Sequence, residues 1–354
     1  MKRKIFIVLG YQNFTDYFIE LSKLLKNDYE ITCLVYGYKN YLKVKENKKI
    51  FNEIYCYEKL VNLFYSNKKN IDFNKLISVE KNLESLWKLL YTDRQLLDYF
   101  FDVDYGDDKL NYNELLNFAI HWIDFFEKIF SSNEYKYLIS YSTASFPGVL
   151  SVKIAEKYNV ENLCFKTIGI PDRFSILDDL NDKFLVPEKN IQNNQWSQNF
   201  YNRFNDNNKP NWVKQTKRKS FLKKIFLLIN NNIYEKKVFE FIDNNRAAYL
   251  NHTLFKIFKL KIKKTLRKLK YHFIKKETFN SISFKYIFFP LHVEPESNLM
   301  VKNILSTDQL SVLENISKLC PINLKIIVKD HPNQPIRNAD YYNRIKKIPN
   351  VVLV

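Results

Sequence analysis

Four short segments gather the polar groups that could do chemistry. Residues 289–297, FPLHVEPES, place His292 and Glu294 between two prolines, with Glu296 directly after the second. Such a loop can hydrogen-bond the hydroxyls of a sugar or ribose; it also reads as a proline-stiffened turn with solvated carboxylates. Residues 328–334, VKDHPNQ, bring Asp330, His331 and Pro332 together, with Arg337 close behind. An imidazole beside a helix start can donate to phosphate, and a guanidinium can do so through two parallel bonds. Taken alone, the His-Pro pair also reads as a surface turn. Residues 166–174, KTIGIPDRF, carry Asp172 and Arg173 behind the sharp turn marked by Gly169 and Pro171. An ordinary strand-to-helix turn with a surface ion pair fits them equally. Residues 141–148, YSTASFPG, form a small polar loop with Ser142 and Thr143.

Each segment must be positioned by the element before it. Ile5 to Leu9 is a continuous apolar, β-rich run that reads as a buried parallel strand. Phe14, Phe18, Leu21 and Leu25 follow at helical spacing, then strands at 29–36 and 54–57. Residues 58–133 hold few breakers; Leu86, Leu89 and Leu90, then Leu115, Phe118, Trp122, Phe125 and Phe126, suggest long helices with one buried face. A strand at 137–140, a helix at 149–157 and a strand at 162–168 make a second βαβ unit. After a polar stretch at 187–220, a strand at 286–289 opens another α/β run: helix 308–319, strand 324–328, helix 339–347 and strand 351–354. In open parallel sheets ligands sit at the carboxyl ends of strands, where the candidate loops fall.

Composition narrows the class without choosing a partner. A hydrophobic share of 46% over 354 residues supports a sizeable core and excludes global disorder. The formal charge of +18 suits an acidic partner, whether nucleic acid, anionic membrane or anionic substrate. Cys33, Cys56, Cys164 and Cys320 are widely spaced with no CxxC, which argues against a disulfide framework or a zinc site and for buried thiols in a reducing compartment. The first apolar run is too short for a signal peptide or a span, so the expected location is cytoplasmic. Asp102 and Asp104 form one Asp-x-Asp with Asp107 and Asp108 behind it. They follow a predicted helix rather than a strand and read as a solvated acidic loop, so no metal is expected.

The order and spacing of FFPLHVEPE at 288–296, VKDHP at 328–332, Arg337 with Tyr341 and Tyr342, and IPNV at 348–351 resemble the capsule polysaccharide biosynthesis family, which includes Kdo transferases. The likeness extends more weakly to STA at 142–144, AEK at 155–157 and GIPDRF at 169–174, and not to residues 40–130 or 187–280. The resemblance implies an α/β chain of the GT-B kind: two Rossmann-like domains with the donor nucleotide in the second. Residues 221–276, strongly basic, read as a helical insertion between them. The expected divisions are 1–185 for the acceptor domain, 186–282 for the connector and 283–354 for a partial nucleotide-sugar domain. Family members continue past the strand matching 351–354, so the second domain reads as incomplete.

By that resemblance the chain would transfer an acidic, Kdo-like sugar from a CMP-linked donor to a glycan or lipid-linked acceptor, with no further cofactor. His331 and Pro332 would hold the nucleotide phosphate, and Glu294 and Glu296 would face the nucleotide or sugar. Glycosyl transfer needs a positive site for the leaving phosphate, to which His331 and Arg337 are suited. Asp172 or Glu294 could supply the carboxylate base or nucleophile, and retention or inversion stays open. Lysines and arginines dominate 214–276, with interleaved Phe255, Phe258, Leu260, Ile262, Leu266 and Leu269. That pattern fits a solvated helix on a domain junction, or peripheral contact with an anionic inner membrane face. It carries none of the common nucleic-acid recognition motifs. The alternatives are a sialyl- or polyol-phosphate transferase, an epimerase, and a non-enzymatic basic scaffold or nucleic-acid-binding protein.

Overall fold

The computed structural model describes residues 2–9, 14–81, 85–92, 111–132, 134–141, 145–167, 174–178, 183–184, 284–293, 308–331 and 337–354, with single positions between 262 and 277. In chain order the elements are β1 (Arg3–Leu9), α1 (Thr15–Leu25), β2 (Tyr29–Val35), α2 (Tyr38–Glu46), β3 (Glu53–Cys56), α3 (Tyr57–Ser66), α4 (Phe73–Glu80), α5 (Leu86–Thr92) and α6 (Tyr112–Phe130). Then come β4 (Tyr135–Ser140), α7 (Phe146–Lys157), β5 (Glu161–Thr167), β6 (Phe174–Asp178), β7 (Lys183–Phe184), β8 (Tyr286–Pro290), α8 (Gln309–Leu319), β9 (Lys325–Lys329), α9 (Ala339–Lys346) and β10 (Val351–Leu353). They fall into two compact units. One comprises Met1–Val61, Phe126–Ser142 and Ile154–Asn245; the other comprises Asn62–Phe125, Thr143–Lys153 and Arg246–Val354.

The first unit is built on a seven-stranded sheet in the order β3-β2-β1-β4-β5-β6-β7. Its first five strands are parallel, and β6 and β7 add antiparallel. This is a Rossmann-like α/β arrangement. The central β1 is buried on both faces, which is why it is apolar without alternation. Ile5, Ile7 and Leu9 pack with Phe18 and Ile19 of α1. Phe6, on the other face, meets Phe126 and Phe130 of α6 edge-on, with ring centroids 6.2 and 5.6 Å away. Gly37 enters α2 at φ 85°, which suits glycine, and donates its N–H to the buried Glu58 carboxylate at 2.7 Å.

One reading needs correction. The turn after β5 does not lead into a helix: the chain comes back as β6, antiparallel to β5, with Thr167 opposite Phe174. Ahead of the two apolar sets expected as long helices, residues 57–80 form two short helices. Helix α3 stops at Ser66, ahead of a polar run, and Asp72 caps α4 by accepting from the Lys75 N–H at 3.1 Å. Helix α6 spans 19 residues and carries the set from Leu115 to Phe126, while Leu86, Leu89 and Leu90 lie on α5.

The described sheet of the second unit is parallel, in the order β10-β9-β8. Leu310 and Leu313 of α8 and Tyr342 and Ile345 of α9 pack with Ile326, Val328, Val351 and Leu353. Among the described residues, no helix is long and apolar enough to cross a membrane. The basic stretch 214–276 lies almost wholly outside the described residues, as do Asp102, Asp104, Asp107 and Asp108.

Cys33, Cys56 and Cys164 are buried, and Cys320 is partly exposed. Burial pushes the Cys33 thiol far above its ordinary range and the Cys56 thiol up to about 12. Because the thiolate is the reactive form, a disulfide reagent at pH 8 is expected to modify one thiol rapidly, Cys320. Cys33 and Cys56 should react only on unfolding. Mass mapping of the adducts checks this, and early labelling of Cys33 would contradict the core described above.

Candidate functional site

The described candidate residues meet at the carboxyl ends of β8 and β9. Pro290 at the end of β8 is in register with Lys329 at the end of β9, so the loops that follow lie side by side. The Leu291 N–H continues the pairing by donating to the Lys329 carbonyl at 2.9 Å. His292 comes next, with its side chain exposed, and His331, partly buried, follows Asp330 on the neighbouring loop.

A set of buried polar groups fixes both loops. Gln309, the first residue of α8, acts as a backbone mimic: its Oε1 accepts from the His292 N–H at 2.6 Å and its Nε2 donates to the His292 carbonyl at 3.1 Å. Asp308 caps the same helix, accepting from the Leu310 N–H and the Ser311 hydroxyl. The Ser311 hydrogen bond, first among several contacts, holds the Asp308 carboxyl below its ordinary range.

Arg337 ties the two loops together. It is 1% exposed; its Nη2 donates to the His292 carbonyl at 2.6 Å, and its Nε lies 3.4 Å from Asp330 Oδ1. Its guanidinium sits over the Tyr341 ring, 4.6 Å from the centroid. The Tyr342 hydroxyl donates to Asp330 Oδ2 at 2.6 Å, and Asp330 Oδ1 also accepts from the His331 N–H at 2.9 Å. One carboxylate thus holds the backbone of His331 and the side chain of Tyr342 and faces Arg337.

This arrangement changes the reading of Arg337. A guanidinium expected to grip phosphate instead lies inside the protein, bound to a carbonyl and beside a carboxylate. Its described contacts make it a positioning residue for His292 and His331. Asp330, Gln309 and Tyr342 share that task, which the residue pattern alone did not assign to them. For Asp330 a signal existed: a carboxylate at a strand tip one residue before the histidine. Gln309 offered none, because its partner is the backbone of a residue 17 positions earlier. Asp172, Arg173, Glu294, Glu296, Pro332, Ser142 and Thr143 lie outside the described residues. Among the described residues no group of His, Cys, Asp and Glu is placed to hold a metal ion.

Burial, and then the hydrogen bond to Asp330, pushes the Tyr342 phenol well above its ordinary range. The unfolded chain loses that proton near pH 10 while the folded site keeps it. The contribution is therefore complete below about pH 10 and is lost as pH rises further. Tyr55 and Tyr135 are shifted the same way by burial. Unfolding free energy is expected to fall with pH above about 10, and Tyr342→Phe should make that decline shallower. Denaturant titrations from pH 8 to 11 test it; an unchanged slope in the variant would contradict the buried placement of the phenol.

A Rossmann-like α/β protein with two histidine-bearing loops at the ends of adjacent strands is the class that fold and site define. No family model matches the chain, and no curated protein matches it. Solved structures do match, among them the structure of a CDPS from Fluoribacter dumoffii. That protein is 12% identical, with 46% of this chain and 89% of that one covered, at a TM-score of 0.27. So loose a superposition carries no argument about function.

Proposed function

We propose that the chain is a glycosyltransferase of surface or capsular polysaccharide synthesis, of the GT-B kind, using a CMP-activated acidic sugar. The observation that carries the reading is the meeting of the two motif-bearing loops. The segments that resemble the capsule family, FFPLHVEPE and VKDHP, end adjacent parallel strands and are fixed to each other through Asp330 and Arg337. On this reading His331 faces the nucleotide phosphate and stabilises the charge of the departing CMP. His292 faces the ribose or sugar. Arg337, Asp330 and Gln309 hold the backbones of His292 and His331, so that less ordering of the two loops is left for the binding step. Glu294, Glu296 and Pro332 complete the nucleotide side of the proposal. Asp172 or Glu294 would supply the carboxylate that activates the acceptor or attacks the donor, with Arg173, Ser142 and Thr143 as further cleft candidates; all five lie outside the described residues. The lipid-linked acceptor and contact of 214–276 with an anionic membrane belong to the same proposal.

The test is calorimetric titration of CMP, CDP, UMP, UDP and a short RNA into the wild type and His331→Ala. Selective CMP binding that weakens at least about tenfold in the variant supports the reading, since a hydrogen bond to a charged group contributes ~1.5–3 kcal/mol. A clear preference for CDP would move the proposal to a CDP-activated polyol donor. Binding of RNA alone, with steep salt dependence and no response to His331→Ala, would overturn it in favour of a basic nucleic-acid-binding protein.

A further inference from the structure

We propose that the first unit carries an oxyanion site at the carboxyl ends of β1 and β4, built on the hydroxyls of Thr15 and Ser140, that takes a phosphate-bearing small molecule. The proposal stands independently of the nucleotide reading of the β8 and β9 loops. The strand order β3-β2-β1-β4-β5 reverses direction between β1 and β4. Chains leaving two such strands diverge to opposite faces of the sheet, and the crevice between them is where open α/β sheets bind ligands.

Helix α1 begins at this crevice with Thr15. In a helix the Cα–Cβ bond tilts toward the N-terminus, so the Thr15 side chain is directed to the same end as the first-turn N–H groups. Thr15 is 4% exposed, and its Oγ1 has no hydrogen-bond partner. The preceding residue, Phe14, brings no side-chain cap. Ser140 closes β4; it is 1% exposed, and its Oγ is likewise without a partner. Its register with Val8 sets it beside the end of β1, on the face opposite Ile7 and Ile139, which join the core under α1. The two hydroxyls therefore flank the crevice from its two sides. Phe14 and Tyr141 stack with centroids 3.9 Å apart, linking the start of α1 to the residue after β4.

A buried hydroxyl with no partner is destabilising, and native folds keep few of them. One at the start of α1 and one at the end of β4 are accounted for by a ligand that supplies the missing partner. The chemistry of the place selects that ligand. A helix N-terminus favours negative charge, and N–H and hydroxyl donors match phosphate oxygens. The acid of the first turn, Asp16, pairs with Lys43 and does not fill the end of the helix. The Phe14–Tyr141 pair offers an apolar wall to the rest of the molecule.

Titration of the full chain with inorganic pyrophosphate, glycerol 3-phosphate and UDP tests this, with glucose as the uncharged control. Saturable binding of at least one phosphate compound and none of glucose is expected. Thr15→Val and Ser140→Ala should each weaken it at least about tenfold, the loss of a hydrogen bond to a charged group, in a His331→Ala background as in the wild type. The unliganded variants should melt at or above the wild-type temperature, since each removes an unsatisfied polar group. If Thr15→Val melts lower, that hydroxyl is structural, and Ser140→Ala decides alone. Tightest binding of UDP would place a nucleoside against Phe14 and Tyr141, and equal binding of all three would confine recognition to the phosphate. Absence of phosphate binding, or wild-type affinity in Ser140→Ala in both backgrounds, overturns the proposal.

Discussion

Arg337→Met is expected to lower the unfolding free energy of the second unit by about 3–5 kcal/mol, the range for removing one partner from a buried charged pair. The side chain is fully buried, so its loss exposes no compensating contact with water. It would leave the His292 carbonyl with one donor fewer and Asp330, only 14% exposed, without its cationic neighbour. Methionine fills the volume, so a cavity contributes little to the effect. Urea denaturation followed by far-UV circular dichroism measures it. A double variant with Asp330→Asn separates charge from packing. With the carboxylate neutralised, no unpaired buried charge remains, and the double variant should lose less than the sum of the two singles. Additive losses would show that Arg337 acts through the His292 carbonyl and its packing on Tyr341 rather than through Asp330. A loss below about 1 kcal/mol, the size of an exposed ion pair, would contradict the burial itself.

How much of this was legible beforehand differs between the elements and the site. The strands carry their own signal: IFIVL at 5–9 and KIIVK at 325–329 are apolar runs too short for helices, and both are buried parallel strands. The alternation of 3.6-period apolar positions likewise located α6 and α8. Position at the carboxyl end of a strand then placed His292 and His331 on neighbouring loops. The hairpin of β5 and β6 was not legible, because a glycine and a proline between two apolar stretches mark a turn without saying which element follows. The role of Arg337 was hidden for a different reason. A cation in a polar segment reads as solvent- or ligand-facing, and only the three-dimensional meeting of Asp330, His292 and Tyr341 around it makes burial affordable. Gln309 and the unsatisfied hydroxyls of Thr15 and Ser140 belong to the same kind: satisfaction of a polar group is a property of contacts between distant residues, and spacing along the chain does not encode it.

Phe6→Ala is expected to destabilise the first unit by about 3–5 kcal/mol, the range for deleting a buried phenylalanine side chain. Phe6 has no exposure and lies on the central strand, where Phe126, Phe130 and Tyr135 surround it within 6.2 Å between ring centroids. All three contacts are edge-on, the geometry in which the positive ring edge meets a negative face. Truncation therefore removes the transfer free energy, opens a cavity between β1 and α6, and forfeits the ring pairs. Phe6→Leu keeps most of the volume and should cost less than half as much. A cycle with Phe130→Leu should show a coupling of about 0.5–1.5 kcal/mol beyond area burial. Denaturant midpoints at constant slope report these values, since a changed slope would signal an altered unfolded or native state rather than a lost contact. The leucine variant also separates stability from the proposed oxyanion site. Phe6 lies on β1 away from its carboxyl end, so Phe6→Leu should bind pyrophosphate as the wild type does, whereas Ser140→Ala, expected to melt no lower than the wild type, should not. Equal weakening in both would mean that the crevice responds to the packing of β1 as a whole, and the two hydroxyls would lose their claim to act as ligands.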